Sequence, residues 1–124
     1  MAENPWRKAR PEDVERFEEA IGGIEGIEQR KMFGFPAAFV GGNMVAGLHQ
    51  DTVMVRLPED ERQERLDAGW SMFEPMPGRP MREYVALPAE VFADADATRG
   101  WIERAAEYAR TLPSKEPKPR KRRA

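Results

Sequence analysis

Few side chains in this 124-residue chain could do covalent or acid–base chemistry. Cysteine is absent, which excludes thiolate nucleophiles, disulfides and cysteine zinc ribbons. His49 is the one histidine, so no second imidazole or thiolate exists to share a metal with it. Two readings of His49 follow from its place at the end of an apolar run: a hydrogen-bonded strand end, or a lone base or ligand. Ser71 and Ser114 are the only serines, and neither sits in a G-x-S-x-G turn. The glycine pairs Gly22-Gly23 and Gly41-Gly42 do not make a phosphate-binding loop, because neither follows a strand and opens a helix. The carboxylates fall mostly on helix faces turned to water. No catalytic set, metal or cofactor is therefore expected, and an interaction module is the first reading.

Two stretches could bind rather than react. In "FEPMPGRPMREYVALP", residues 73–88, Pro75, Pro77 and Pro80 fix φ and push their predecessors toward extended geometry. Gly78 supplies a turn, and "MPGR" has the proline–glycine centre of a type II turn. An ordered segment without regular structure is expected, with Met76 and Met81 flanking the turn, Arg79 at its tip and Arg82 at the next strand's start. One reading is a rigid lip holding Arg79 for an acidic partner or a second subunit. The other is that the methionines plug the edge of a sheet. A pocket beneath residues 74–82, lined by Tyr84, Arg79, Arg82 and His49, would instead suit a small ligand or an uncharacterised enzyme. The second stretch is "EQRK", Glu28 to Lys31, a charged strand. It reads either as an edge protected from aggregation by charge or as an edge that meets another chain.

The elements that must position these residues follow from periodicity. A helix starts near Pro11, with Glu12 and Asp13 at its positive end. Val14, Phe17, Ala20, Ile21 and Ile24 form its apolar stripe, and Gly22-Gly23 ends it. The period then changes to two. Strands are expected over 27–33, 35–40, 43–49 and 52–57, with tight turns at Gly41-Gly42 (or Gly42-Asn43) and Gln50-Asp51. Turns this short make the strands antiparallel. Pro58 opens a polar helix anchored only by Leu57 and Leu66, and Gly69 closes it. "REYVAL" gives a fifth strand. The last helix, capped by Asp94 or Asp96, carries Trp101, Ala105, Tyr108 and Leu112 on one stripe, with Ile102, Ala106 and Ala109 beside it. Gly100 within it suggests a close approach of another group. The expected fold is α+β: an antiparallel sheet of about five strands with helices on one face. One domain over residues 1–113 and a disordered tail over 114–124 are expected. No apolar run approaches the ~20 residues of a membrane span, and the N-terminus lacks an apolar signal core, so a cytoplasmic protein is expected.

"RKMFGFPAAFVGGNMVAGLHQDTVMVRLP" resembles the signature of the TfoX/Sxy family N-terminal domain, the bacterial competence regulators. The matching residues are Arg30, Lys31, Met32, Phe33, Gly34, Phe39, Gly42, Met44, Ala46 and Val55. Later matches fall at Phe73, Tyr84, Leu87 and Pro88, then at Trp101, Ala105 and Ala109. The resemblance covers roughly residues 13–112. It implies a compact α+β domain similar to secretion-chaperone folds, a homodimer, and a role linked to competence-gene expression and transcription regulation. It carries over no catalytic residue. Full-length regulators of that family bear a second, helix-hairpin-helix-like domain; a stand-alone version is expected here.

The net charge of −2 is unevenly spread. From Ser114 onward six basic residues (Lys115, Lys118, Arg120, Lys121, Arg122 and Arg123) face only Glu116. The end of the chain is basic and the body acidic. Such a run either aids solubility or makes a weak, sequence-blind contact with nucleic-acid phosphates. Deleting residues 114–124 is expected to abolish any DNA binding and leave the melting temperature nearly unchanged. The parent's log–log salt slope should be no steeper than about −5. A sequence-specific gel shift that survives the deletion would place the contact on the body instead.

Overall fold

In a computed structural model, residues 9–32, 34–76 and 78–113 are described, the side chains of 75, 76, 79 and 80 excepted. Helix α1 (Pro11–Ile21) is followed by strands β1 (Glu28–Met32), β2 (Phe35–Val40), β3 (Asn43–His49) and β4 (Thr52–Arg56). Helix α2 (Glu59–Asp67), strands β5 (Ser71–Met76) and β6 (Arg79–Ala86), and helices α3 (Ala89–Phe92) and α4 (Ala95–Ala109) complete the order. The strands form one antiparallel sheet in the order β1-β2-β3-β4-β6-β5.

The sequence supplies each local cause. Pro11 sits in the first turn of α1, with Glu12 and Asp13 beside it. Arg99 in α4 and Arg110 at its C-cap hold the end of α1 and the loop after it. Arg110 donates to the Glu25 carbonyl at 2.6 Å, and Arg99 to the Ala20 carbonyl at 3.4 Å. Gly41 and Gly42 both have positive φ, 58° and 82°, as a two-residue type I′ hairpin requires. Asp94, rather than Asp96, caps α4 by accepting from the Ala97 N–H at 3.1 Å.

The helices lie on one face of the sheet. Phe17, Ile21 and Ile24 pack there with Val45, Leu48, Val53, Val55, Val85 and the Ile102–Ala105–Ala106–Ala109 stripe of α4. Trp101 and Tyr108 flank that stripe rather than centre it. Helix α2 fully buries no residue, though Leu66 packs against the core; it is also clasped to α4. Arg104 Nε donates to Glu61 Oε1 at 2.8 Å. Arg65 lies 5.4 Å from the Trp70 ring and 5.2 Å from the Trp101 ring, and the two indoles meet edge to face at 5.0 Å.

Two expectations are corrected. The proline-rich segment is not irregular: it is the β5–β6 hairpin, which makes six strands rather than five. Pro75 is tolerated because β5 is an edge strand, and Pro80 because β6 bonds to β4 only through Tyr84, Val85 and Ala86, so it lies where β6 has one neighbour. Gly100 approaches nothing. It faces solvent, and a Cβ there would meet no atom within 4 Å. The glycine that does permit a close approach is Gly47 in β3, where a Cβ would come 2.7 Å from Met54 Cε.

Gly42→Val is expected to destabilise the domain by about 1–3 kcal/mol, because a β-branched side chain is strained at positive φ. Urea unfolding checks this; a midpoint equal to the parent's would contradict it.

Candidate functional site

The face of the sheet turned from the helices is also apolar. Ala37, Phe39, Met44, Met54, Phe73 and Tyr84 are buried there, with Met32 and Met81 packed against them. Alternation explains the split in β2: Ala38 and Val40 join the helix side, Ala37 and Phe39 the other. In β3 the alternation is broken by a bulge. Ala38 opposes Ala46 while Phe39 opposes Met44, so Val45 is the extra residue. Val45 and Ala46 consequently both face the helices.

Among the described residues no helix covers this second face; the sheet covers itself by curling. Strands β3 and β5 are three places apart, about 14 Å in a flat sheet. Yet the His49 and Phe73 rings lie with centroids 5.7 Å apart, and Phe35 meets His49 from the other side at 4.9 Å. The curl leaves a cavity of about 60 Å³, lined by Met32, Met44, Met54, Met81, His49 and Phe73 among others. Gly47 also borders it, across from Met54.

Polar groups beside this cluster are built into the packing. The Tyr84 hydroxyl donates to the Met44 carbonyl at 2.8 Å, bridging residues 40 apart in sequence. Burial pushes the Tyr84 phenol up to about 12; neighbouring Glu83 adds to the rise and Arg56 opposes it. Arg56 is 9 % exposed and pairs with Glu83 at 2.6 Å. Its Nε has no hydrogen-bond partner among the described residues. Asn43 donates to the Pro113 carbonyl at 3.1 Å.

Of the residues expected to line a pocket under residues 74–82, His49 borders the cavity and is joined there by Met81. Tyr84 and Arg82 do not line it, and the side chains of Met76 and Arg79 lie outside what is described. Met44 and Met54, at 6 % exposure each, are buried in this cluster rather than displayed on the surface. Gly47 and Met54 were not singled out from sequence. A glycine inside an apolar strand is the signal for Gly47.

The residues matching the family signature take structural places. Arg30 stacks on the Phe39 ring at 4.9 Å and donates to Glu28 at 2.8 Å, which holds the Glu28 carboxyl below its usual range. Lys31 is exposed on β1, and Met32 ends that strand. Gly34 and Gly42 hold positive φ in turns, Pro88 precedes α3, and Trp101 meets Trp70. Phe33 and residues 115–123 of the basic run lie outside the described residues. Among the described residues no three histidines, aspartates or glutamates cluster as a metal would need, and no helix is long and apolar enough to cross a membrane.

Tyr84 yields a test. Protonated phenol is neutral, and burial keeps it so in the folded chain to about pH 12, against 10.0 for an unperturbed tyrosine. The folded state binds more protons between those values, so this stability is complete below pH 10 and lost as pH rises toward 12. Tyr84→Phe should cost about 1–3 kcal/mol near neutrality by leaving the Met44 carbonyl without its donor. The variant should also lose less stability than the parent above pH 10. Parallel losses in denaturant titrations would show that Tyr84 is not the group responsible.

No curated protein matches the chain closely enough to count as a relative. A family model, the TfoX N-terminal domain, matches residues 8–109, and so spans the helices, the whole sheet and the curled methionine-lined face. The chain therefore belongs to the TfoX N-terminal domain family.

Proposed function

We propose that this domain is a non-enzymatic interaction module, acting as a homodimer in bacterial regulation of the kind associated with TfoX competence regulators. The observation that carries the reading is the size and lining of the cavity on the second face; the larger hollow along α2, lined by Glu59, Asp60, Gln63, Glu64 and Asp67, is an open surface groove. Metabolite and cofactor pockets usually enclose roughly 300–1,000 Å³ and present a few convergent polar groups. This one encloses about 60 Å³ and is walled by thioether and aromatic side chains. That is room for an apolar group of a few heavy atoms, not a substrate. The nearby groups with chemical potential are already engaged: His49 between two phenylalanine rings, and the Tyr84 hydroxyl on a carbonyl. The thioether and aromatic lining does not favour the alternative, a small-ligand protein or enzyme with its site under residues 74–82.

Partner binding then falls to surfaces rather than to a cleft. A protein partner, a second copy of the chain, and weak phosphate contacts by residues 115–123 are the proposed contacts. A cytoplasmic location is part of the same proposal. Light scattering on the full chain at micromolar and higher concentrations is expected to give a mass approaching twice 14.2 kDa. A 14.2 kDa species alone at every concentration would refute the homodimer.

A further inference from the structure

The sheet has two edges, and they differ. At one edge, β5 contains Pro75, and its ladder to β6 shifts register between Met72 and Phe73 and again between Phe73 and Met76. A missing donor and successive bulges blunt an edge against further pairing. At the other edge, β1 has neither device. Its five residues lie in unbroken register on β2, and no strand covers its outer side among the described residues. Its charges are not of one sign, as they would be in a strand built to repel. Glu28, exposed, and Arg30, half-buried, face the same side two residues apart, with Arg30 Nη2 2.8 Å from Glu28 Oε1. An acid–base pair of this spacing, read in the opposite direction, complements itself.

We propose that β1 is the surface through which two copies of this chain join, antiparallel about a two-fold axis at Gln29, merging their sheets. This names the interface of the homodimer proposed above and rests on that reading. Facing residues of an antiparallel pair point to the same side, so a two-fold axis across this edge must pass through a residue. Centring on Arg30 would set two guanidinium groups directly opposite, which is unfavourable. Centring on Gln29 sets Glu28 opposite Arg30 of the second copy, twice. On the helix side, Gln29 meets its counterpart while holding Glu18 at 2.8 Å. Lys31 of the second copy is then the diagonal neighbour, within reach of that carboxylate. So short a pairing buries less than the ~1,200–2,000 Å² typical of stable complexes, so the dimer forms and dissociates with concentration.

Sedimentation equilibrium of the full chain tests this. Glu28→Arg and Arg30→Glu should each weaken self-association at least tenfold, with folding checked by circular dichroism. Mixing the two variants sets two bases opposite two acids and should restore association to the parent's level. The double variant, Glu28→Arg with Arg30→Glu, should dimerise alone, and it keeps the test valid should either single change unfold the chain. If the variants associate as the parent does, the interface lies elsewhere and only this inference fails. If the parent is monomeric throughout, the homodimer fails with it. Loss in the single variants without recovery in the mixture or the double variant would show that Glu28 and Arg30 do not face each other.

Discussion

A six-stranded sheet with two apolar faces and, among the described residues, helices for only one of them sets the main constraint on this fold. Water must be kept from the second face without a second layer. The sheet meets the constraint by bending, and most of its irregularities serve that bend. The β2–β3 bulge rotates Val45 to the helix side. The slips between β5 and β6 carry Phe73 over toward His49. Gly47 leaves space for Met54 on the inner wall. Methionine suits such a wall, because an unbranched thioether fills irregular volume that branched side chains cannot.

Tyr84 holds the curled face in place. Its ring is part of the apolar cluster, and its hydroxyl reaches past β4 to a carbonyl on β3. A phenylalanine could supply the first contact but not the second. Across the sheet, the α2–α4 clasp does similar work with different chemistry. Helix α2 has no fully buried residue; Leu66 packs half-buried against the core, and Glu61, Arg65 and the two indoles supply the rest of its hold.

Much of this was legible in the sequence, and the failures have physical causes. The α1 stripe, the β1–β4 meander and the turn glycines follow from local rules of period and φ, and they stand where those rules put them. The β5–β6 hairpin was hidden because proline argues against a strand, and the argument weakens only where a strand lacks a second neighbour. Gly100 was misread because a helical glycine carries no mark of which side it faces. Of the methionine-lined cavity, only His49 was legible as a lining residue. The cavity's walls come from β1, β2, β3, β4, β5 and β6 together, and only the curvature of the assembled sheet brings them round one space.

The two-residue turns at Gly41-Gly42 and Gln50-Asp51 also rank the contacts by chain entropy. They make β2, β3 and β4 neighbours at almost no cost in loop closure, since the closed segments are as short as a hairpin allows. Strand β6 reaches β4 only after the chain has looped through α2 and β5, a detour of more than twenty residues. The cost of closing a loop grows with the logarithm of its length. The meander is thus the cheap, local part of the topology, and the hydroxyl that joins Tyr84 to Met44 fastens the most remote part of the sheet onto the most local one.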